Sequence, residues 1–168
     1  MVRILGIDPG TATVGWGVLD CSGDGLVQKV VSYGHIATSP KLSTCERLNE
    51  ISNNVLEILS TYKPAEVAVE ELFYFKNAKT VISVAQARGV IMHTCFSNNL
   101  KVAEYTPLQI KQSLTGYGRA DKKQMQEMIK SVLKLKSIPK PDDTADALAV
   151  ALCHNNSRNF AKVINSNQ

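Results

Sequence analysis

Cysteine is scarce in this sequence, and no cysteine has a partner close to it along the chain. The four residues are Cys21, Cys45, Cys95 and Cys153, so no CxxC pair exists among the 168 residues. This spacing excludes the usual zinc motifs and the disulfide framework of a small secreted domain. We therefore expect reduced thiols in a cytoplasmic protein.

Long apolar runs are also missing. The opening stretch MVRILGIDPG is apolar only briefly before Gly, Asp and Pro interrupt it. It is too short for the apolar core of a signal peptide, and no later run has the length that a bilayer requires. The sequence thus predicts a soluble protein with no targeting or membrane segment.

A strong excess of one charge is absent as well. Lys and Arg number 19 against 15 Asp and Glu, which gives a net charge of +4. Such a mild excess permits a polyanionic partner but does not require one. Charge alone therefore leaves nucleic acid open as a partner.

The order of the apolar segments predicts an α/β fold. Hydrophobic residues make up 44% of the chain, which is enough for the core of one domain. Strands over Val2–Ile7, Val14–Asp20 and Leu26–Ile36 should form an antiparallel meander. The later predicted elements are a helix from Ser39-Pro40, a strand within Ala65–Leu72, a helix over Asn77–Asn98, a strand over Lys101–Tyr105, helices from Thr106 and Asp121, and a last helix from Asp142 or Asp143 through His154.

This order of elements is that of a ribonuclease H-like domain. It predicts a three-layer fold in which helices flank a mixed five-stranded sheet. We expect one domain over residues 1–156 and a flexible C-terminal tail over residues 157–168.

Acidic residues fall at the ends of three predicted elements. Asp8 ends the first strand, Glu70 and Glu71 end the fourth, and Asp143 and Asp146 open the last helix. The spacing of three places Asp143 and Asp146 on one helix face, where their charges repel unless a cation lies between them. Periodicity does not choose between Glu70 and Glu71, and Asp142 is an alternative to Asp143.

Carboxylates without a nearby His or Cys are typical of a site for Mg²⁺ or Mn²⁺. Two such ions about 4 Å apart can clamp an in-line displacement at phosphorus without a side-chain nucleophile. Each acid also has an ordinary structural role, because Asp is common in turns and at helix caps. The metal interpretation therefore depends on whether the fold brings the acids together.

Four segments resemble a known family of nucleases. These are ILGIDPGTATVGWGV, VAVEELFYFKNAKTVISVAQARGV, YTPLQIKQSLTGYGRADKKQM and PDDTADALAVALCH, in that order from about residue 2 to about residue 154. Together they resemble the RuvC-type Holliday junction resolvases, which cut four-way recombination junctions. The resemblance implies a ribonuclease H-like fold, a homodimer, Mg²⁺ as cofactor, and a branch-migration helicase complex of the RuvA/RuvB type as partner. It further implies paired symmetric nicks with 5′-phosphate ends.

The resemblance also assigns residues. The four acidic metal ligands of the family fall on Asp8, Glu70, Asp143 and Asp146, which selects one member of each ambiguous pair. Phe73 matches an aromatic residue that contacts bases near the crossover. Basic residues beside the scissile phosphate match Lys111 and Lys122. The resemblance leaves the roles of Tyr74, Phe75 and Arg88 undefined.

Two other classes of protein share part of this pattern. The segment GIDPGTATVGWGV also looks like the first phosphate loop of the actin and sugar kinase ATPases, but that fold needs a second such domain and roughly twice this length. A ribonuclease H-like nuclease acting on RNA fits the fold and the acids equally well. Only the VEELF and DxxDALA matches argue against RNA as the substrate.

Overall fold

The computed structural model describes residues 1–23, 28–72 and 80–166, with side chains described as far as Asn159. Its elements alternate after three opening strands, as the sequence predicts. In chain order they are β1 (Val2–Asp8), β2 (Thr13–Cys21), β3 (Gln28–Ala37), α1 (Thr44–Tyr62), β4 (Glu66–Glu70), α2 (Val81–Ser97), β5 (Val102–Tyr105), α3 (Pro107–Thr115), α4 (Lys122–Val132) and α5 (Asp142–Ser166).

The five strands form one mixed sheet in the order β3-β2-β1-β4-β5. β1 pairs antiparallel with β2, and β2 pairs antiparallel with β3, which confirms the predicted meander. β4 crosses over to lie parallel to β1 on its other side, and β5 continues parallel to β4. The carboxyl ends of β1 and β4 therefore meet at one edge of the sheet.

Each face of the sheet carries its own hydrophobic layer. On one face α1 and α2 cover residues such as Leu5, Ile7 and Val69. On the other face α5 lies on Ile4 and Ala68, with α3 and α4 packed beside it. Because strand side chains alternate between faces, this assignment also decides where the polar residues at the strand ends point.

Helix α1 starts later than the sequence predicts. We expected it to begin at Ser39-Pro40, but its first residue is Thr44. Ser43 accepts a hydrogen bond from the amide of Glu46, whose carboxylate accepts one from the amide of Ser43. This capping box satisfies the first free amides of the helix and so defines its start.

The predicted end of the last helix at His154 is wrong. α5 continues to Ser166, so residues predicted to be loosely structured are helical. No glycine or proline interrupts this stretch, and Arg158 donates two hydrogen bonds of 3.0 Å to the carboxylate of Glu66 on β4. The domain limit at residue 156 stays a prediction.

Among the described residues, no helix combines the length and the apolar character needed to span a membrane.

Candidate active site

Asp8 and Glu70 lie side by side at the carboxyl ends of two parallel strands. The register pairs Gly6 with Ala68 and Ile7 with Val69, which places the next residue of each strand in adjacent positions. Asp8 shares the face of Gly6, and Glu70 shares the face of Ala68, so both carboxylates are on the side that α5 covers. Strand geometry thus places Glu70 beside Asp8. The following residue, Glu71, borders the same cleft.

Glycines bring α5 unusually close to β1 and β2. A Cβ atom at Gly15 would overlap the carbonyl oxygen of Asp143, and one at Gly6 would overlap the backbone of Ala147. Gly15 pairs directly with Asp8 across the β1–β2 ladder. The first turn of α5 therefore rests on the strand next to Asp8, because the sequence has no side chain at the contact point.

This contact brings two more carboxylates to the sheet edge. Asp143 and Asp146 line the same cleft as Asp8 and Glu70. Asp142 adjoins the cleft without lining it: its carboxylate accepts a 3.0 Å hydrogen bond from Gln126 and forms ion pairs with Lys140 and with the cleft-lining Lys122. The structure therefore separates the adjacent aspartates, with Asp143 lining the cleft and Asp142 outside it.

The cleft is open and has a volume of about 530 Å³. Its walls come from the ends of β1 and β4 and from the first turns of α2, α3, α4 and α5. Both predicted lysines line it, Lys111 from α3 and Lys122 from α4. Lys122 reaches Asp146, with 3.7 Å between its Nζ and the carboxylate. All four predicted acids and both predicted lysines thus lie around one space.

The charges in the cleft perturb one another strongly. Burial at the floor of the cleft raises the pKa of Asp8 well above its usual range, and the nearby carboxylates of Glu70 and Asp146 raise it further. Burial also raises the pKa of Asp146, although Lys122 opposes this effect. For Lys122, burial would lower the pKa, but Asp142 and Asp146 outweigh it and raise the pKa. The carboxylates therefore repel one another, and Lys122 offsets this repulsion only in part.

The donor set suits a hard divalent cation. Glu70 lies close enough to Asp8 to raise the pKa of that carboxyl group, by charge repulsion and by a side-chain hydrogen bond. A divalent ion can offset the repulsion among the acids. Within the described ranges, no three carboxylate, imidazole or thiolate groups already form a closed metal cluster. The cleft therefore offers oxygen ligands from four carboxylates that line it without forming a closed cluster in the described part of the chain.

Arg88, whose role the sequence left undefined, supports the site from α2. From α2 it donates a hydrogen bond through Nε to the carbonyl oxygen of Glu70, and it pairs through Nη2 with Glu104 of β5. It thus ties α2 to the ends of β4 and β5 and holds the backbone that carries Glu70. A lone arginine in a mostly apolar helix is the signal in the sequence, but its contacts depend on the sheet order.

Several predicted residues lie outside the described ranges. Phe73, the predicted base-contacting residue, is among them, together with Tyr74 and Phe75. Its assignment to DNA contact therefore stays a prediction.

The fold is a mixed five-stranded sheet with helices on both faces. Its carboxylates lie at the ends of β1 and β4 and on α5. Together these features define the class of ribonuclease H-like nucleases. Comparisons with known proteins narrow the class. Residues 4–154 match the model of the family described as "Crossover junction endodeoxyribonuclease RuvC". The chain belongs to this family and is an endodeoxyribonuclease, as the resemblance in the sequence implied.

Individual relatives agree over most of their length. The RuvC of Caldicellulosiruptor saccharolyticus is 56% identical over 153 residues, covering 91% of this chain and 92% of the relative. That of Clostridioides difficile is 49% identical, covering 96% and 94%. A structure of Thermus thermophilus RuvC in complex with Holliday junction substrate has a TM-score of 0.89 and 35% identity, covering 96% of this chain and 97% of that one. These matches favour DNA over RNA as the substrate.

Proposed function

We propose that this protein resolves four-way DNA junctions by Mg²⁺-dependent hydrolysis of one phosphodiester bond in each of two symmetric strands. The observation that carries the proposal is the convergence of Asp8, Glu70, Asp143 and Asp146 around one open cleft that two lysines also line. A substrate complex of the Thermus thermophilus relative supports a Holliday junction as the DNA.

The four carboxylates would hold the metal ions. Mg²⁺ fits their oxygen-only donor set, Mn²⁺ can substitute for it, and the room among four acids is suited to two ions. When bound, the ions supply a polarised water and a counter-charge for the phosphate oxygens. Hydrolysis of this kind leaves 5′-phosphate and 3′-hydroxyl ends, which a ligase can join.

The protein's own residues orient the reaction. Asp8 and Glu70 are fixed by the pairing of β1 with β4, whereas Asp143 and Asp146 are fixed by the contact of α5 with the glycines of β2. Lys111 and Lys122, which also line the cleft, would neutralise the phosphate and stabilise the charge that develops on its oxygens. Phe73 follows the β4 end of the site along the chain and would contact bases near the crossover.

A homodimer would give the enzyme two such clefts. The outward side of α2 carries large apolar residues: Ile82 is 74% exposed and Phe96 is 76% exposed. Gly89 and His93 are exposed on the same helix, and in the described part of the chain nothing outside the local helix backbone lies within 4 Å of the position a Cβ would take at Gly89. A second copy packed on α2 by twofold symmetry would cover this surface and match the symmetry of a four-way junction.

Two further expectations follow from the family. A branch-migration complex of the RuvA/RuvB type would deliver the junction, and the enzyme would act in the cytoplasm, where its DNA substrate is.

The proposal is tested by comparing substrates. The purified protein with Mg²⁺ should nick a synthetic four-way junction at paired positions, and it should leave a linear duplex and an RNA hairpin of the same sequence largely intact. EDTA should stop the reaction. Preferential cutting of the RNA hairpin would support the RNA-directed alternative and reject the proposed substrate.

A further inference from the structure

Exposed residues on α3 and in the loop before α4 lie next along the chain to residues that line the cleft, and the mechanism above does not use them. We name this set the rim patch and define it as Leu108, Tyr117 and Arg119. Tyr117 is 47% exposed and Leu108 is 52% exposed, and Arg119 is also exposed. Along the chain the patch lies next to two cleft-lining residues, because Leu108 follows Pro107 and Arg119 precedes Lys122 by three residues.

The loop that carries Tyr117 is held in one conformation. Gly116 adopts a left-handed backbone with φ of 76° at the end of α3. The hydroxyl of Thr115 lies 2.8 Å from the carbonyl oxygen of Tyr117. Gly118 packs so tightly on the side chain of Leu108 that a Cβ atom there would overlap it. The backbone on both sides of the tyrosine is thus fixed before any ligand binds.

The ring of Tyr117 is also held at its far end. Its hydroxyl donates a 3.0 Å hydrogen bond to Oε1 of Gln124. Gln124 is itself fixed by the capping box of α4, in which it exchanges hydrogen bonds with Asp121. A single exposed aromatic residue is ordinary, but one fixed at both ends loses little entropy when it binds.

The residues around the patch are mainly basic, which favours a negatively charged nucleic-acid strand as the ligand over an uncharged protein surface. Arg119, Lys122 and Lys123 follow Tyr117 within six residues and are exposed, whereas Asp121 is the one acid among residues 116–124. A flat ring beside cations is the arrangement that proteins use for single-stranded DNA, in which the ring stacks on a base and the cations contact phosphates. We infer that the rim patch binds a DNA strand next to the cut site, with Tyr117 stacked on a base or sugar.

This inference rests on the proposed function and adds a DNA contact to it. Around a crossover, base faces are less completely stacked than in a duplex, so that a fixed aromatic ring can reach one. The strand would enter the cleft past Lys111 and Lys122 while Tyr117 and Arg119 hold a nucleotide outside it. The rim patch would thereby set where the scissile phosphate lies relative to the carboxylates.

Two substitutions at Tyr117 separate stacking from loop structure. Tyr117→Ala should weaken binding to a synthetic four-way junction without Mg²⁺ by about 5- to 150-fold, the range expected for the loss of one stacked base. Tyr117→Phe keeps the ring and should bind within about twofold of the unmodified protein. Tyr33→Ala is the matched control, because Tyr33 is 40% exposed on β3 and does not line the cleft.

A crosslinking experiment locates the contact. Junctions carrying 5-iododeoxyuridine at single positions on either side of the cut should form a photoadduct that mass spectrometry maps to Tyr117. If the unmodified protein does not bind the junction, the proposed function and this inference both fail. If it binds and nicks while Tyr117→Ala matches Tyr33→Ala, only this inference fails. Equal loss in Tyr117→Phe and Tyr117→Ala would also overturn it, because the hydroxyl and not the ring would then be required.

Discussion

Gly15 on β2 touches the carbonyl oxygen of Asp143 on α5, and the contact leaves no room for a side chain on the glycine. Gly15 also pairs with Asp8 on β1. The contact at Gly15 therefore sets how close α5, which carries Asp143 and Asp146, lies to Asp8. Gly15 is therefore part of the site, although it bears no functional group.

Replacing Gly15 with alanine should push the start of α5 away from the sheet. Overpacking of this kind costs about 1–3 kcal/mol of the free energy of unfolding, and the displaced Asp143 should also weaken metal binding. Urea unfolding and a titration of the melting temperature with Mg²⁺ measure the two effects. Gly23→Ala is the control, because among the described residues, apart from its chain neighbours, no atom lies within 4 Å of the position its Cβ would take. Equal behaviour of the two variants would contradict the role assigned to Gly15.

Replacing Asp8 or Asp142 with asparagine should change the melting temperature in opposite directions. The pKa of Asp8 is raised, so its contribution to stability is complete below about pH 4 and is lost as the pH rises through the raised value. In the metal-free protein the fold therefore disfavours ionisation of Asp8. Asp8→Asn should therefore raise the melting temperature without metal and remove the further rise that Mg²⁺ gives.

For Asp142 the sign is reversed. Hydrogen bonds from Lys140 and Lys122 lower its pKa to about 2, so its contribution is present at neutral pH and is lost as the pH falls from about 4 toward 2. Asp142→Asn should lower the melting temperature slightly and keep the response to Mg²⁺. Differential scanning fluorimetry at pH 7, with and without Mg²⁺, measures both variants. A stabilising effect of Asp142→Asn or a destabilising effect of Asp8→Asn would contradict the electrostatic account of the cleft.

Arg88 should act on metal binding through the backbone of Glu70. Arg88→Lys keeps a positive charge for Glu104 but loses the Nε hydrogen bond to the Glu70 carbonyl. Loss of a residue that orients a metal ligand typically costs about tenfold or more in metal affinity. The Mg²⁺ concentration that gives half of the thermal stabilisation measures this loss. Glu104→Gln leaves the hydrogen bond from Arg88 to Glu70 in place, so it should change this Mg²⁺ concentration much less. An equal change in both variants would show that Arg88 acts only as a general structural residue.

Phe96 offers a test of the proposed dimer. Because its side chain is 76% exposed, Phe96→Asp should leave the fold of one subunit intact. Light scattering after size exclusion should show a dimer for the unmodified protein and a monomer for the variant. The monomer should convert junctions to singly nicked products in preference to paired nicks. A variant that stays dimeric would place the interface away from α2.

The sequence alone predicted the meander and placed acidic residues at the ends of three elements, because the alternation of apolar residues and the order of the elements indicate where each strand and helix ends. It allowed β4 to lie beside β1 but did not require it. It could not choose between Glu70 and Glu71 or between Asp142 and Asp143 without the family resemblance. The structure separates the second pair through the ion pairs of Asp142, and it places Glu70 beside Asp8 through strand register. Helix ends were predicted least well, since the start of α1 depends on one capping box and the length of α5 on the pairing of Arg158 with Glu66.

Asp8 provides the most direct test of the central claim that four carboxylates at the sheet edge hold the metal ions for junction cleavage. Its carboxylate lies at the floor of the cleft, and the change to asparagine alters charge with almost no change in volume. Nicking of a four-way junction in Mg²⁺ should be measured for the unmodified protein and for Asp8→Asn, with junction binding recorded for both. The account predicts unchanged binding and no detectable nicks from the variant. Cutting by Asp8→Asn at the rate of the unmodified protein would contradict it.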